Sequence, residues 1–176
     1  MGVEDRRDCR FRWDLLASLL PADSVGAEVG VLKGRNATSL LELRADLFLY
    51  LIDPFNIPHG RHTVRDVSQA EDVARFKLHP FSDQVQFIKR SSLGAAPTFS
   101  DSSLDWVFID ADHHYSSVKA DIWAWIPKVR PGGALLGHDY RSPRWPGVKQ
   151  AVDEVLGDQA TLYRTQEDCY CWGFWK

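Results

Sequence analysis

The stretch Gly26-Ala27-Glu28-Val29-Gly30-Val31-Leu32-Lys33-Gly34-Arg35-Asn36 constrains the fold more than any other part of this chain. Val25, Val29 and Val31 are β-branched and suit a strand. Gly30 and Gly34 allow backbone angles that a side chain would forbid, and they let a ligand come close to the main chain. Asn36 to Leu43 then reads as a helix, with Asn36 or Thr38 as its cap. A strand–turn–helix leaves unpaired N–H groups at the mouth of a sheet, where open α/β folds bind ligands. A dinucleotide fingerprint starting at Gly30 needs glycine at positions 32 and 35; the chain has Leu32 and Arg35, so the NAD reading fails on spacing. Glu28, two residues before Gly30, repels a pyrophosphate and attracts a ligand carrying positive charge. Taken alone, the stretch fits an ordinary strand–helix turn equally well.

The 176 residues suffice for one domain with a real core. That domain is expected to span residues 11–176, after a charged lead, residues 1–10, expected to be disordered. The net charge of -3 leaves no electrostatic footprint for nucleic acid or an anionic membrane. No apolar run reaches the roughly 18–20 residues of a membrane helix. The start lacks the apolar centre of a signal peptide, and Arg6 stands where a myristoylation signal needs Ser or Thr. Cys9, Cys169 and Cys171 do not make a disulfide framework and read as buried thiols, which fits a reducing cytoplasm.

Phe11, Leu15, Leu16, Leu19 and Leu20 recur at helical spacing up to Pro21. Leu47–Ile52 is an unbroken apolar run, as expected of a strand covered on both faces. A long loop follows from Phe55 to Asp66, with His59, Arg61 and His62 as candidate lid residues alongside Arg144 and Trp145. Val85–Ile88, Leu104–Ile109 and Ala134–Gly137 read as further strands, separated by helical stripes. Ala160–Arg164 and Tyr170–Trp175 have no helix between them and predict an antiparallel hairpin. Alternating strands and helices imply a doubly wound, Rossmann-like α/β fold, a mostly parallel sheet of seven strands closed by that C-terminal hairpin. The aromatic strand Cys171–Trp175 is expected at an edge, where a second copy in a homodimer would cover it.

In such a sheet the ligand lies across the carboxyl ends of the strands. Asp53 ends the second strand, about twenty residues after Gly30, where an acid can accept both ribose hydroxyls of an adenosine ligand; a turn-capping role before Pro54 is the alternative. At the next end, Phe108-Ile109-Asp110-Ala111-Asp112-His113-His114-Tyr115 crowds acids, imidazoles and a phenol together.

With Glu28-x-Gly30-x-x-x-Gly34 upstream, then Pro131-Gly132-Gly133, the His138-Asp139 pair and Pro146-Gly147-Val148-Lys149-Gln150-Ala151-Val152, the chain resembles class I S-adenosylmethionine (SAM) methyltransferases. Within that class it is most similar to the catechol and macrolide-sugar O-methyltransferases, over about residues 25–175. The resemblance implies SAM as cofactor, held by Glu28, Gly30, Gly34, Asn36, Asp53 and Asp110, with Ser91 or Ser92 near the adenine. Lys89 and Arg90 depart from the family's usual acidic or polar residue there. It also implies a divalent metal, Mg2+ or another, on Asp110, His138 and Asp139. Imidazole at His138 suits softer metals than magnesium. His113 takes the general-base position, and imidazole titrates near neutrality. The expected activity is O-methylation of a small hydroxylated molecule, a sugar, phenol or natural product. A SAM- or nucleoside-binding regulatory domain without turnover is the rival, and a nucleic-acid substrate is disfavoured by the charge.

Overall fold

The computed structural model describes residues 1–56 and 68–176. The lid candidates His59, Arg61 and His62 lie outside the described residues. Eight strands form one sheet: β1 (Gly2–Asp5), β2 (Val25–Val29), β3 (Phe48–Ile52), β4 (Val85–Ile88), β5 (Leu104–Ile109), β6 (Val129–Tyr140), β7 (Thr161–Arg164) and β8 (Tyr170–Trp175). Their order is β1-β7-β8-β6-β5-β2-β3-β4. β8 runs antiparallel to both its neighbours and every other pairing is parallel. The helices that matter here are α1 (Arg12–Leu19), α2 (Arg35–Leu43), α3 (Ala70–Leu78), α4 (Ser92–Ala95), α5 (Tyr115–Trp125) and α6 (Pro146–Val155).

Alternation along the strands sorts the core into two layers. Leu49, Leu51, Trp106, Phe108 and Leu136 face one way and bury against α1, α2 and α3. Ala27, Val29, Val107, Ile109 and Leu135 face the other way, against α5 and α6. Both faces of the central strands are therefore apolar, as parallel strands covered by crossover helices require. Gly26 pairs with Trp106 across β2 and β5, and a Cβ at Gly26 would come within 2.1 Å of the indole. The ring needs that space, and its Nε1 donates to Ser24 Oγ at 3.1 Å.

Three expectations are corrected. The lead is not disordered: Gly2–Asp5 is an eighth strand, paired in parallel register with Thr161–Arg164. All four of its residues are exposed, so backbone hydrogen bonds hold it and no hydrophobic pattern announces it. The C-terminal strand is not an edge: β8 lies between β7 and β6, with Cys171 and Trp172 buried. The reason given for a homodimer thereby lapses, since β1 and β4 are the edges. Finally, α2 is capped by Gly34 in the left-handed region (φ 69°), not by Asn36 or Thr38. Thr38 Oγ1 instead donates to the Gly34 carbonyl at 2.7 Å. No helix among the described residues is long and apolar enough to cross a membrane.

Candidate active site

The strand order reverses at β2, whose neighbours are β3 and β5. Such a switch point opens a crevice at the carboxyl ends of the strands. Here it is a cavity of about 1140 Å³, lined among others by Glu28, Gly30, Asn36, Asp53, Ser92, Asp110, His113, His138, Asp139 and Trp145. Gly30 (φ 96°) sits against the β5 end, where a Cβ would come within 2.2 Å of the Asp110 carbonyl oxygen. The two strand ends therefore touch through backbone, and the crevice floor is main chain.

Glu28 points from β2 beneath α2 and is 2% exposed. Burial first, then the Asp110 charge, pushes its carboxyl up to about 8, with a hydrogen bond from Asn36 opposing. Its Oε2 and the Asn36 Oδ1 are buried without partners. An orphaned acceptor beside a large cavity costs free energy until a donor or cation arrives. Asp53 is tethered differently. Its Oδ2 accepts the Val31 and Leu32 N–H groups at 2.9 and 2.8 Å, and its Oδ1 accepts the Phe55 N–H at 2.8 Å. The carboxylate thus moulds the glycine turn, and with about four acceptor positions it retains room for a ligand hydroxyl.

The two serines separate. Ser91 caps α4, accepting the Gly94 N–H at 3.2 Å, and is exposed rather than part of the cavity lining. Ser92 lines the cavity, but its hydroxyl donates to Asp121 at 2.5 Å and accepts from Trp125 Nε1 at 2.9 Å. Burial pushes Asp121 up to about 6 against that hydrogen bond. Lys89 turns outward to Glu71 at 2.6 Å, so its charge does not enter the site.

At the far wall His113 Nε2 lies 2.9 Å from Asp139 Oδ2 and 3.3 Å from Asp110 Oδ1. Trp145 stacks on its ring, centroids 4.9 Å apart at 21°. Burial opposes the imidazolium, yet Asp110 and Asp139 together raise His113 to about 9. Asp139 holds a left-handed backbone (φ 60°) where the β6–β8 register slips between Gly137 and Tyr140. A strained non-glycine residue is what turns this carboxylate toward His113. His114 caps α5 outside the cavity, pairing with Asp112 at 2.6 Å.

Arg12 and Glu167 were not singled out by the sequence, and Cys169 only as a buried thiol. Arg12, the first residue of α1, places Nη1 2.5 Å from Asp110 Oδ2 and 3.0 Å from His138 Nδ1. Glu167 Oε2 accepts the Arg12 backbone N–H at 2.6 Å and lies 3.4 Å from His138 Nε2. Cys169 Sγ is 3.3 Å from the same nitrogen. Burial works against Asp110 and Glu167 ionising; the Arg12 charge and the adjacent imidazoles overcome it and hold both below the usual carboxylate range. The thiols Cys9, Cys169 and Cys171 are free and buried, and burial pushes Cys171 up to about 12.

The cavity fits a bulky ligand with positive charge: it is large, and Glu28 offers an unpaired buried oxygen. It does not fit a divalent metal as arranged. Asp110, His113 and Asp139 come close enough to share an ion, as do His138, Asp139 and Cys169. However, Arg12 already stands between Asp110 and His138, and His113 already bridges Asp110 and Asp139.

A family model described as a methyltransferase domain matches residues 27–140. An uncharacterized protein of Acanthamoeba polyphaga mimivirus is 29% identical over 147 residues, 80% of this chain and 63% of that protein. The chain therefore spans less than two thirds of that relative's length. Among solved structures, the O-methyltransferase TomG of Streptomyces achromogenes, involved in tomaymycin synthesis and bound to SAM, is 19% identical with a TM-score of 0.62. The match covers 92% of this chain and 77% of that one. An O-methyltransferase family protein of Burkholderia thailandensis is 16% identical with a TM-score of 0.64, over 92% of this chain and 54% of that one. These likenesses establish a shared fold.

Proposed function

The chain belongs to the methyltransferase-domain family, and from that premise we propose that it moves the methyl group of SAM to a hydroxyl of a small molecule. The observation that carries this reading is the pairing, in one cavity, of the buried Glu28 carboxyl with an unfilled acceptor and a His113 imidazole gripped by two carboxylates. Bound SAM supplies an activated sulfonium methyl, so the protein's task is alignment and charge. Glu28 and Asn36 receive the cationic end of the cofactor. The Gly30–Gly34 turn presents main chain to it, and the remaining capacity of Asp53 takes a ribose hydroxyl. Ser92 borders the adenine side with a hydroxyl already satisfied by Asp121 and Trp125. His113, its ring fixed by Trp145 and raised to about 9 by Asp110 and Asp139, takes the proton of the acceptor hydroxyl in its neutral form, which grows in as pH rises toward 9, and the two carboxylates stabilise the imidazolium that results. Arg144 and Trp145 border the cavity where the acceptor enters. Sugars, phenols and other hydroxylated natural products are the acceptor class; the net charge of -3 speaks against nucleic acid. The free buried thiols suit a reducing compartment such as the cytoplasm.

Calorimetry with SAM, followed by a product assay over a panel of hydroxylated acceptors, tests the reading. SAM binding with S-adenosylhomocysteine formed only in the presence of an acceptor is the expected result. The His113→Ala protein should bind SAM normally and lose about 10²–10⁴-fold in turnover. An unaltered rate would remove His113 as the base. SAM binding with no turnover on any acceptor would favour a regulatory domain.

A further inference from the structure

We infer that Arg12 is the resident cation of this site: its guanidinium takes the position between Asp110 and His138 that a divalent metal would need, so the acceptor oxygen meets a fixed side-chain charge there. The inference rests on the O-methyl transfer reading for its chemistry, but on geometry alone for its exclusion of metal: Arg12 fills the space at Asp110 Oδ2 and His138, and His113 spans Asp110 Oδ1 and Asp139.

Three observations support it. First, the contacts are those of a filled site. Nη1 lies 2.5 Å from Asp110 Oδ2 and 3.0 Å from His138 Nδ1. An ion bound to those atoms sits about 2.0–2.6 Å from each. It would overlap the guanidinium nitrogen, so the two cations exclude one another. Second, Arg12 is held from both ends. Glu167 accepts its backbone N–H at 2.6 Å through Oε2 and reaches Nη2 at 3.6 Å through Oε1. The side chain is 23% exposed and its Nε is buried without a partner. Expelling it would strip Glu167 and Asp110 of their guanidinium and leave each with a single imidazole contact, a costly exchange. Third, the carboxylates nearest Arg12 already face its fixed positive charge, Asp110 at Nη1 and Glu167 at Nη2. A guanidinium never surrenders its proton, so this charge persists at any working pH.

The chemistry follows. A positive charge beside the acceptor oxygen stabilises it as its proton leaves. Arg12 borders the cavity with His113 and supplies that charge through N–H donors, with no ligand to exchange.

The test is direct metal binding, using Mn2+ as probe and its free-ion paramagnetic resonance as readout. Wild-type protein at millimolar Mn2+ should take up none, and Arg12→Lys should behave likewise because it keeps the charge. Arg12→Met should uncover the carboxylates and bind Mn2+ at least about tenfold more tightly than wild type. Stoichiometric uptake by wild type, abolished by Asp110→Asn, would overturn the inference. So would a folded Arg12→Met protein that still binds no Mn2+, because the site would then not be a cation site at all. Arg12→Gln replaces Arg12→Met if the latter does not fold. Should neither fold, the wild type decides: uptake overturns the inference and no uptake upholds it. SAM calorimetry on the same wild-type sample is a separate arm. Failure to bind SAM would sink the methyltransfer reading while leaving the exclusion of metal by Arg12 standing.

Discussion

A carboxyl that keeps its proton to about pH 8, as Glu28 does, inverts the usual dependence of stability on pH. An unfolded glutamate releases its proton near 4.5, the folded one near 8. Between those values the folded state binds more protons, so the contribution to stability is complete below the lower value and is lost as pH rises to the upper one. A cationic ligand beside Glu28 favours the ionised form and draws that proton off. SAM binding at pH 7 is therefore expected to release up to about one proton, and its Kd to tighten by up to about tenfold per pH unit between 6 and 8. Calorimetry in two buffers of different ionisation enthalpy reads the proton count directly. Glu28→Gln should abolish the release and weaken SAM about tenfold to a hundredfold, the value of a charged hydrogen bond. A proton count of zero in the wild type would place the cofactor's charge elsewhere. Residues at strand ends were legible from sequence because their neighbours in the chain are their neighbours in the site: Asp110 and His113 share one turn, His138 and Asp139 are adjacent. Arg12 and Glu167 were not, because nothing in a helix-start arginine tells a solvated charge from one that spans 98 residues to reach Asp110.

Elements repeat the contrast. β3 is a continuous apolar run and β5 is one from Trp106 to Ile109, and both declared themselves, since burial on both faces leaves no polar alternation. β1 carries four exposed residues and is held only along its backbone, so no side-chain pattern betrays it. The cap of α2 was misplaced for a related reason: Asn36 has a capping side chain, but the left-handed angle at Gly34 ends the turn earlier and frees Asn36 to face Glu28. β8 was placed at an edge because it comes last, although its mixture of Cys171, Trp172 and Gly173 suits an interior strand. Gly26 offers the sharpest test at this scale. Trp106 is fully buried, hydrogen-bonded to Ser24 and pressed against the bare Gly26 backbone. Gly26→Ala puts a methyl group 2.1 Å from the indole. The ring must leave its rotamer or β2 must part from β5, and a stability loss of about 1–3 kcal/mol is expected in denaturant unfolding. Because β2 also carries Glu28, the same variant should bind SAM more weakly. A folded, fully stable Gly26→Ala protein would mean that Trp106 packs elsewhere.

At the scale of the whole molecule, the sheet divides two apolar layers that never meet, and the cavity opens where both run out. Its walls come from both sides: Arg12 and Asn36 from the helices on one face, His113 and Trp145 from loops leading to the helices on the other. A ligand filling it bridges the layers as well as the strand ends, so its binding energy should appear as stability of the entire fold. For a site that exists only in the folded state, SAM at a hundred times its Kd adds about 2.7 kcal/mol. For a chain of this size each kcal/mol shifts Tm by about 2–4 °C. A rise of roughly 5–11 °C in a single cooperative transition is expected. A rise confined to one of two separate transitions would show that the layers unfold independently and that the cofactor grips only one. No rise at saturating SAM would mean that the crevice at the β2 switch point takes a different ligand.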